Sequence, residues 1–153
     1  MADSSNAVVR PPIALVLAIF VSLGIDWLLP LRFVPANIPA RLLGVFVFAL
    51  GLALAGWAII TFRAAGTHVE TYKPTSTIVV NGPYRFTRNP IYTGMFVGLI
   101  GLAMAFNNLW MLAAVVPFYC VIRYGVIARE EAYLEGKFGD EYRAYKTRVR
   151  RWL

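Results

Sequence analysis

The chain has 153 residues, a length for one domain, and 59% hydrophobic against 15% charged content with a mean hydropathy of +0.61 does not suit a soluble globule. A net charge of +7 and a pI near 9.9 raise nucleic acid as a partner, but the placement of the basic residues excludes that reading. The single cysteine, Cys120, rules out a disulfide within the chain and reads as a small core residue.

Met1 to Asn6 is read as an unstructured start, and Arg10-Pro11-Pro12 as an interfacial lead-in. No cleavable signal peptide is expected, because the early charge is sparse and no small-x-small site precedes Pro30. Residues 13–31 carry one charge, Asp26, which sits within reach of Arg32, and residues 42–62 carry none. Each run is long enough to cross about 30 Å of hydrocarbon as a helix. Pro30, Pro35 and Pro39 make the connection between them short and stiff.

Residues 63–90 form the one long polar loop. Thr77-Ile78-Val79-Val80 is β-branched and suits an extended stretch, although it is too short to anchor a sheet. The Gly82-Pro83 turn then leads into Arg88-Asn89-Pro90-Ile91-Tyr92-Thr93-Gly94, after which no charge appears until Arg123. A polar Asn followed by Pro ahead of an apolar run opens a helix. The exposed N–H groups of such a helix mouth attract acceptor atoms of ligands.

Asn107-Asn108 divides the next apolar stretch into a hairpin of helices over 91–106 and 109–128, the first short for a full span. Gly94, Gly98, Gly101 and Ala105 recur on one face of the first and invite close helix packing. Over 129–153, Leu134, Phe138, Tyr142, Tyr145, Val149 and Trp152 form a stripe, which predicts an interfacial amphipathic helix broken near Gly136 or Gly139. The fold class is therefore all-α, a single integral-membrane domain of about four transmembrane helices with a helical hairpin and this C-terminal segment. Four crossings put both termini and the long loop on one side, where nearly all the Lys and Arg lie, so that side is expected to be the cytoplasm. The expected localisation is a multi-pass protein of the bacterial inner membrane.

Gly82-Pro83-Tyr84, Arg88-Asn89-Pro90-Ile91-Tyr92-Thr93-Gly94, Glu130-Glu131-Ala132-Tyr133-Leu134 and Phe138-Gly139-Asp140-Glu141-Tyr142-Arg143-Ala144-Tyr145 occur in order and spacing. Together they resemble the isoprenylcysteine carboxyl methyltransferase family and its phospholipid methyltransferase relatives, from about Arg63 onward. The resemblance implies S-adenosylmethionine as cofactor and a lipophilic acceptor entering from the bilayer, among membrane lipids, with no nucleic acid and no metal. It implies cofactor contacts from Thr77, Ile78 and Val79, then Tyr84, Arg88, Asn89, Pro90, Ile91 and Tyr92, with Glu130 or Glu131 closing the site. Arg129 and Glu130 are the catalytic candidates. Some relatives carry His where this chain has Asn89, which cannot titrate, so no acid–base role is expected there.

The residue types suit that chemistry. Tyr rings can face a sulfonium or an adenine, a carboxylate can accept from an amine or ribose hydroxyls, and Arg88 with the helix mouth suits a carboxylate. A lone histidine, His68, is read as structural or solvated. Two alternatives remain: an NADPH-dependent membrane reductase of the sterol type, and a non-catalytic scaffold of the same fold. No Gly-rich strand-to-helix turn supports a soluble Rossmann-type methyltransferase.

Overall fold

A computed structural model describes residues 8–67 and 75–153. The readings of Met1–Asn6, His68 and the part of the polar loop from 68 to 74 lie outside the described residues. Helix α1 spans Pro11–Leu28, α2 Ala40–Ala64 and α3 Pro90–Ala105. Helix α4 runs over Leu109–Phe138 and α5 over Asp140–Arg148. Among the described residues there is no β-strand.

Three of these helices (α1, α2 and α4) are long and apolar enough to cross a membrane, and α3 is a shorter apolar helix beside them. Their outer faces carry large exposed apolar side chains, among them Phe20, Trp27, Phe46, Ile60 and Val116. Water would not leave such faces uncovered; acyl chains cover them without penalty. This is the architecture of an integral membrane protein.

Helices α2 and α3 hold the bundle together through backbone contact. A methyl placed on Gly51 would lie 2.5 Å from the Gly98 nitrogen, and one on Gly94 would lie 2.6 Å from the Gly51 oxygen. The small-residue face read in α3 thus finds its complement in Gly44 and Gly51 of α2. Behind α3, Leu99, Ala103, Met111, Ile122, Val126 and Ile127 form a core closed to solvent.

The two ends of the bundle differ. At one end Asn107, with a positive φ of 48°, turns α3 into α4. Its side chain accepts from the amides of Phe33 and Val34 and donates to the Val34 carbonyl, tying the hairpin to the first connection. Arg32 reaches back to Asp26 at 2.7 Å, which answers the acidic residue read in the first helix. The polar segments that matter for function gather at the other end.

Helix α4 is continuous but not uniform. Pro117 lacks an N–H, and the regular α pattern is interrupted around Ala114. Val121–Ile127 is a π-helical stretch, after which α-helix resumes at Ala128 and continues to Phe138. The polar end of α4 is therefore a direct extension of its membrane span. Gly139, with φ 54°, breaks it from α5.

Thr77–Val80 belongs to no sheet, in keeping with a stretch read as too short to anchor one. One expectation changes. Cys120 is exposed on the apolar outer face of α4, not in the core; that face needs apolar character but no packing partner.

Candidate active site

The loop into α3 is built first. Gly82 has φ +57°, and a methyl there would meet the Thr61 hydroxyl oxygen at 2.7 Å, so only glycine fits the turn. A short 3-10 turn over Gly82–Arg85 buries Pro83 and Tyr84. The Tyr84 ring packs 5.3 Å from that of Phe62, in a cluster with Ala58, Val79 and Ile91. Val79, Tyr84 and Ile91 are thus one wall, and Thr77 and Ile78 lead into it half-buried. Just before them, the Thr75 amide meets the Tyr133 hydroxyl at 3.4 Å, bringing the end of the polar loop against α4.

Pro90 begins α3 and Asn89 occupies the capping position, as Asn-Pro at a helix start dictates. Yet the Asn89 side chain makes no capping bond. Its Nδ2 donates instead to the Arg151 carbonyl at 3.0 Å. The first α3 amide to find a helical acceptor is that of Thr93, on Asn89. The amides of Ile91 and Tyr92 therefore gain no capping bond, and the mouth of α3 keeps its affinity for acceptor atoms.

Residues 149–152 lie across this mouth. The Arg150 carbonyl accepts from the Arg88 amide at 2.9 Å, and the Arg151 carbonyl accepts from Thr87 Oγ1 at 3.0 Å. Trp152 packs against Phe96 and Tyr119, with ring centroids 5.6 and 5.8 Å away. From α5, Tyr145 Oη donates to the Tyr84 carbonyl at 2.8 Å. Of the C-terminal stripe, Tyr142 and Tyr145 are buried in the protein. Burial raises the Tyr145 hydroxyl to about 12, and burial together with the charges of Tyr145 and Glu130 raises that of Tyr84 further. Both remain neutral donors across the physiological range.

Two adjacent carboxylates complete the site. Tyr92 Oη donates to Glu130 Oε1 at 2.7 Å. Glu131 takes a two-point contact from Arg151, 2.9 Å from Nε and 2.7 Å from Nη2, and a longer one of 3.2 Å from Arg88 Nη2. The hydrogen bond to Glu131 also raises the Arg151 guanidinium above its ordinary value. The Arg88 side chain is only 9% exposed, and its Nε and Nη1 are buried without a hydrogen-bond partner among the described residues.

The structure therefore gathers Tyr84, Arg88, Asn89, Pro90, Ile91, Tyr92, Glu130 and Glu131 at one end of the bundle. Arg129 is exposed on α4. Tyr145, the last residue of the quoted motifs, joins the same network, as do Thr87 and Arg151, which carry no motif that marked them. The Arg-rich tail 148–151 was a signal only for charge, not for contact.

The comparisons with known proteins agree on a family. Residues 39–141 match the model of the phospholipid methyltransferases. The chain is 41% identical over 66 residues to methanethiol S-methyltransferase 1 of Bradyrhizobium diazoefficiens, covering 43% of this chain and 22% of that protein. It is 30% identical over 104 residues to the protein-S-isoprenylcysteine O-methyltransferase of Schizosaccharomyces pombe, covering 65% of this chain and 43% of that one. A protein of Haemophilus influenzae is 46% identical over 63 residues, its full length and 41% of this chain. The chain thus spans less than half the length of the two named enzymes. No solved structure gives a match.

Proposed function

Because the chain belongs to the phospholipid methyltransferase family, we propose that it transfers a methyl group from S-adenosylmethionine to a lipophilic acceptor at the membrane interface. The observation that carries this reading is the buried edge of Arg88, two nitrogens without acceptors among the described residues, within a cluster that also holds the Tyr92–Glu130 pair. A buried guanidinium edge left unmatched is costly unless a ligand supplies the acceptor.

The donor fits those groups. Its carboxylate suits the Arg88 edge and the open amides of α3, and its amine or ribose hydroxyls suit Glu130. Bound there, S-adenosylmethionine would supply an electrophilic methyl on a sulfonium. Tyr92 holds Glu130 in place, and Val79, Tyr84 and Ile91 supply the apolar wall. The tail at 149–152 closes the mouth and limits water, which strengthens each of these contacts. No residue of the set needs to take a proton from a carboxylate or thiolate acceptor, so positioning does the work.

The lipid-exposed helices support an acceptor of matching solubility. A water-soluble donor needs only the polar end, whereas an acceptor dissolved in the bilayer would be concentrated beside Tyr92 and Gly94. Detergent-purified protein is expected to bind S-adenosylmethionine and not NADPH, and to methylate acceptors in liposomes with turnover rising with alkyl length. Binding of NADPH alone would refute the methyltransferase reading. Turnover indifferent to chain length would refute lateral entry of the acceptor.

A further inference from the structure

Arg151 holds Glu131 in a way that bears on Arg88. Its Nε and Nη2 grip both carboxylate oxygens, at 2.9 and 2.7 Å, the parallel two-point geometry in which Arg and carboxylate bind best. Arg88 meets the same carboxylate only through Nη2, at 3.2 Å. Both oxygens of Glu131 are already taken. Arg88 is therefore left with a buried Nε and Nη1 that nothing among the described residues satisfies.

We infer that Arg151 is a positioning residue: by occupying Glu131, it keeps the buried edge of Arg88 open for the carboxylate of a ligand. Two guanidiniums share one protein carboxylate, so the trio carries one surplus positive charge, matched by a single carboxylate. The neighbouring charges do not supply it. Among the described residues Glu131 is the carboxylate that Arg88 meets, while Glu130 accepts from Tyr92 and Glu135 is held by Lys146 at 2.8 Å. Without the Arg151 guanidinium, Glu131 would have two free oxygens beside Arg88 and would take the two-point contact itself, closing the edge. The tail backbone holds Arg151 in this role, since its carbonyl accepts from Thr87 and Asn89 on either side of Arg88.

This inference rests on the methyl-donor reading, and its test separates the two. The binding of S-adenosylmethionine is compared with that of its decarboxylated analogue, in wild type, Arg151→Gln and the double variant R151Q/E131Q. A charge-assisted contact predicts that wild type prefers the carboxylate-bearing donor by about ten- to a hundredfold. Arg151→Gln is expected to lose that preference, because Glu131 captures Arg88. Adding Glu131→Gln is expected to restore it, because a neutral amide cannot hold Arg88 as a carboxylate does. Arg151→Lys keeps the charge without the fork and should fall between.

Restoration by a second substitution is not what a merely structural role would give. A fatty acid and its amide, compared as acceptors in the same variants, tell whether the carboxylate belongs to the donor or the acceptor. A preference for the acid that follows the same pattern supports the role of Arg151 with the acceptor as the source. A preference that survives Arg151→Gln, or that Glu131→Gln fails to restore, overturns the inference. Failure of the donor reading would show in wild type, which would then bind neither donor; failure of the inference shows only in the variants.

Discussion

Glu130 and Glu131 are neighbours in the chain with different partners: one meets a tyrosine hydroxyl, the other two guanidiniums. Successive residues of a helix point about 100° apart, so one carboxylate turns to Tyr92 and the other to Arg88 and the tail. Glu130 is the one with acceptor capacity left for a ligand. Glu130→Ala is expected to weaken S-adenosylmethionine binding by about ten- to a hundredfold, measured calorimetrically on protein shown to be folded. Unchanged affinity would remove Glu130 from the donor site. Tyr145 makes a second residue-scale prediction. Its hydroxyl, raised to about 12 by burial, stays protonated in the folded chain where an unfolded tyrosine ionises near about pH 10. The unfolded state then binds fewer protons, so stability should fall as pH rises above about 10. Melting temperature followed from pH 8 to 11 should show that decline, and Tyr145→Phe should lessen it, Tyr84 still contributing, while costing about 1 kcal/mol at neutral pH. The two glutamates and Tyr92 were legible in the sequence through their motifs. Thr87 and Arg151 were not, because Thr87 and Asn89 bond to a main-chain carbonyl, a group that every residue carries.

At the scale of elements, the α2–α3 contact fixes where the site stands. Gly51 and Gly94 let the two backbones touch, which sets the distance of the α3 mouth from the wall built on Ala58 and Phe62. Gly51→Leu is expected to cost at least about 1–3 kcal/mol by overpacking and to lower both melting temperature and donor binding. Gly56→Ala, in the same helix with open space around it, should leave both unchanged or slightly improved. A Gly51→Leu protein of wild-type stability would refute the close packing. The glycines of α3 could be read at helical spacing, but their partner could not, because a hydropathy pattern names a face without naming what covers it. The π-helical stretch in α4 was likewise unreadable: Val121–Ile127 reads Val-Ile-Arg-Tyr-Gly-Val-Ile, a run that an ordinary α-helix accommodates as well.

On the scale of the whole molecule, the polar site gathers at one end of a bundle whose outer faces are apolar, and the hairpin turn at Asn107 sits at the other. Charge asymmetry then predicts the cytoplasm for the site end. Single cysteines introduced at positions 75 and 148, in a protein with Cys120 replaced, should resist an impermeant reagent in intact cells, and one at position 37 should react. Labelling in the opposite sense would invert the orientation and move the site away from the cytosolic donor pool. The strap formed by residues 149–152 has a further consequence, for the order in which the protein is made. The α3 mouth and both glutamates leave the ribosome before Arg151, and the four apolar helices described above precede it too. The groups of α3 and α4 that line the site are therefore synthesised before the residue that fastens the strap to Glu131, so the strap closes over walls that already exist.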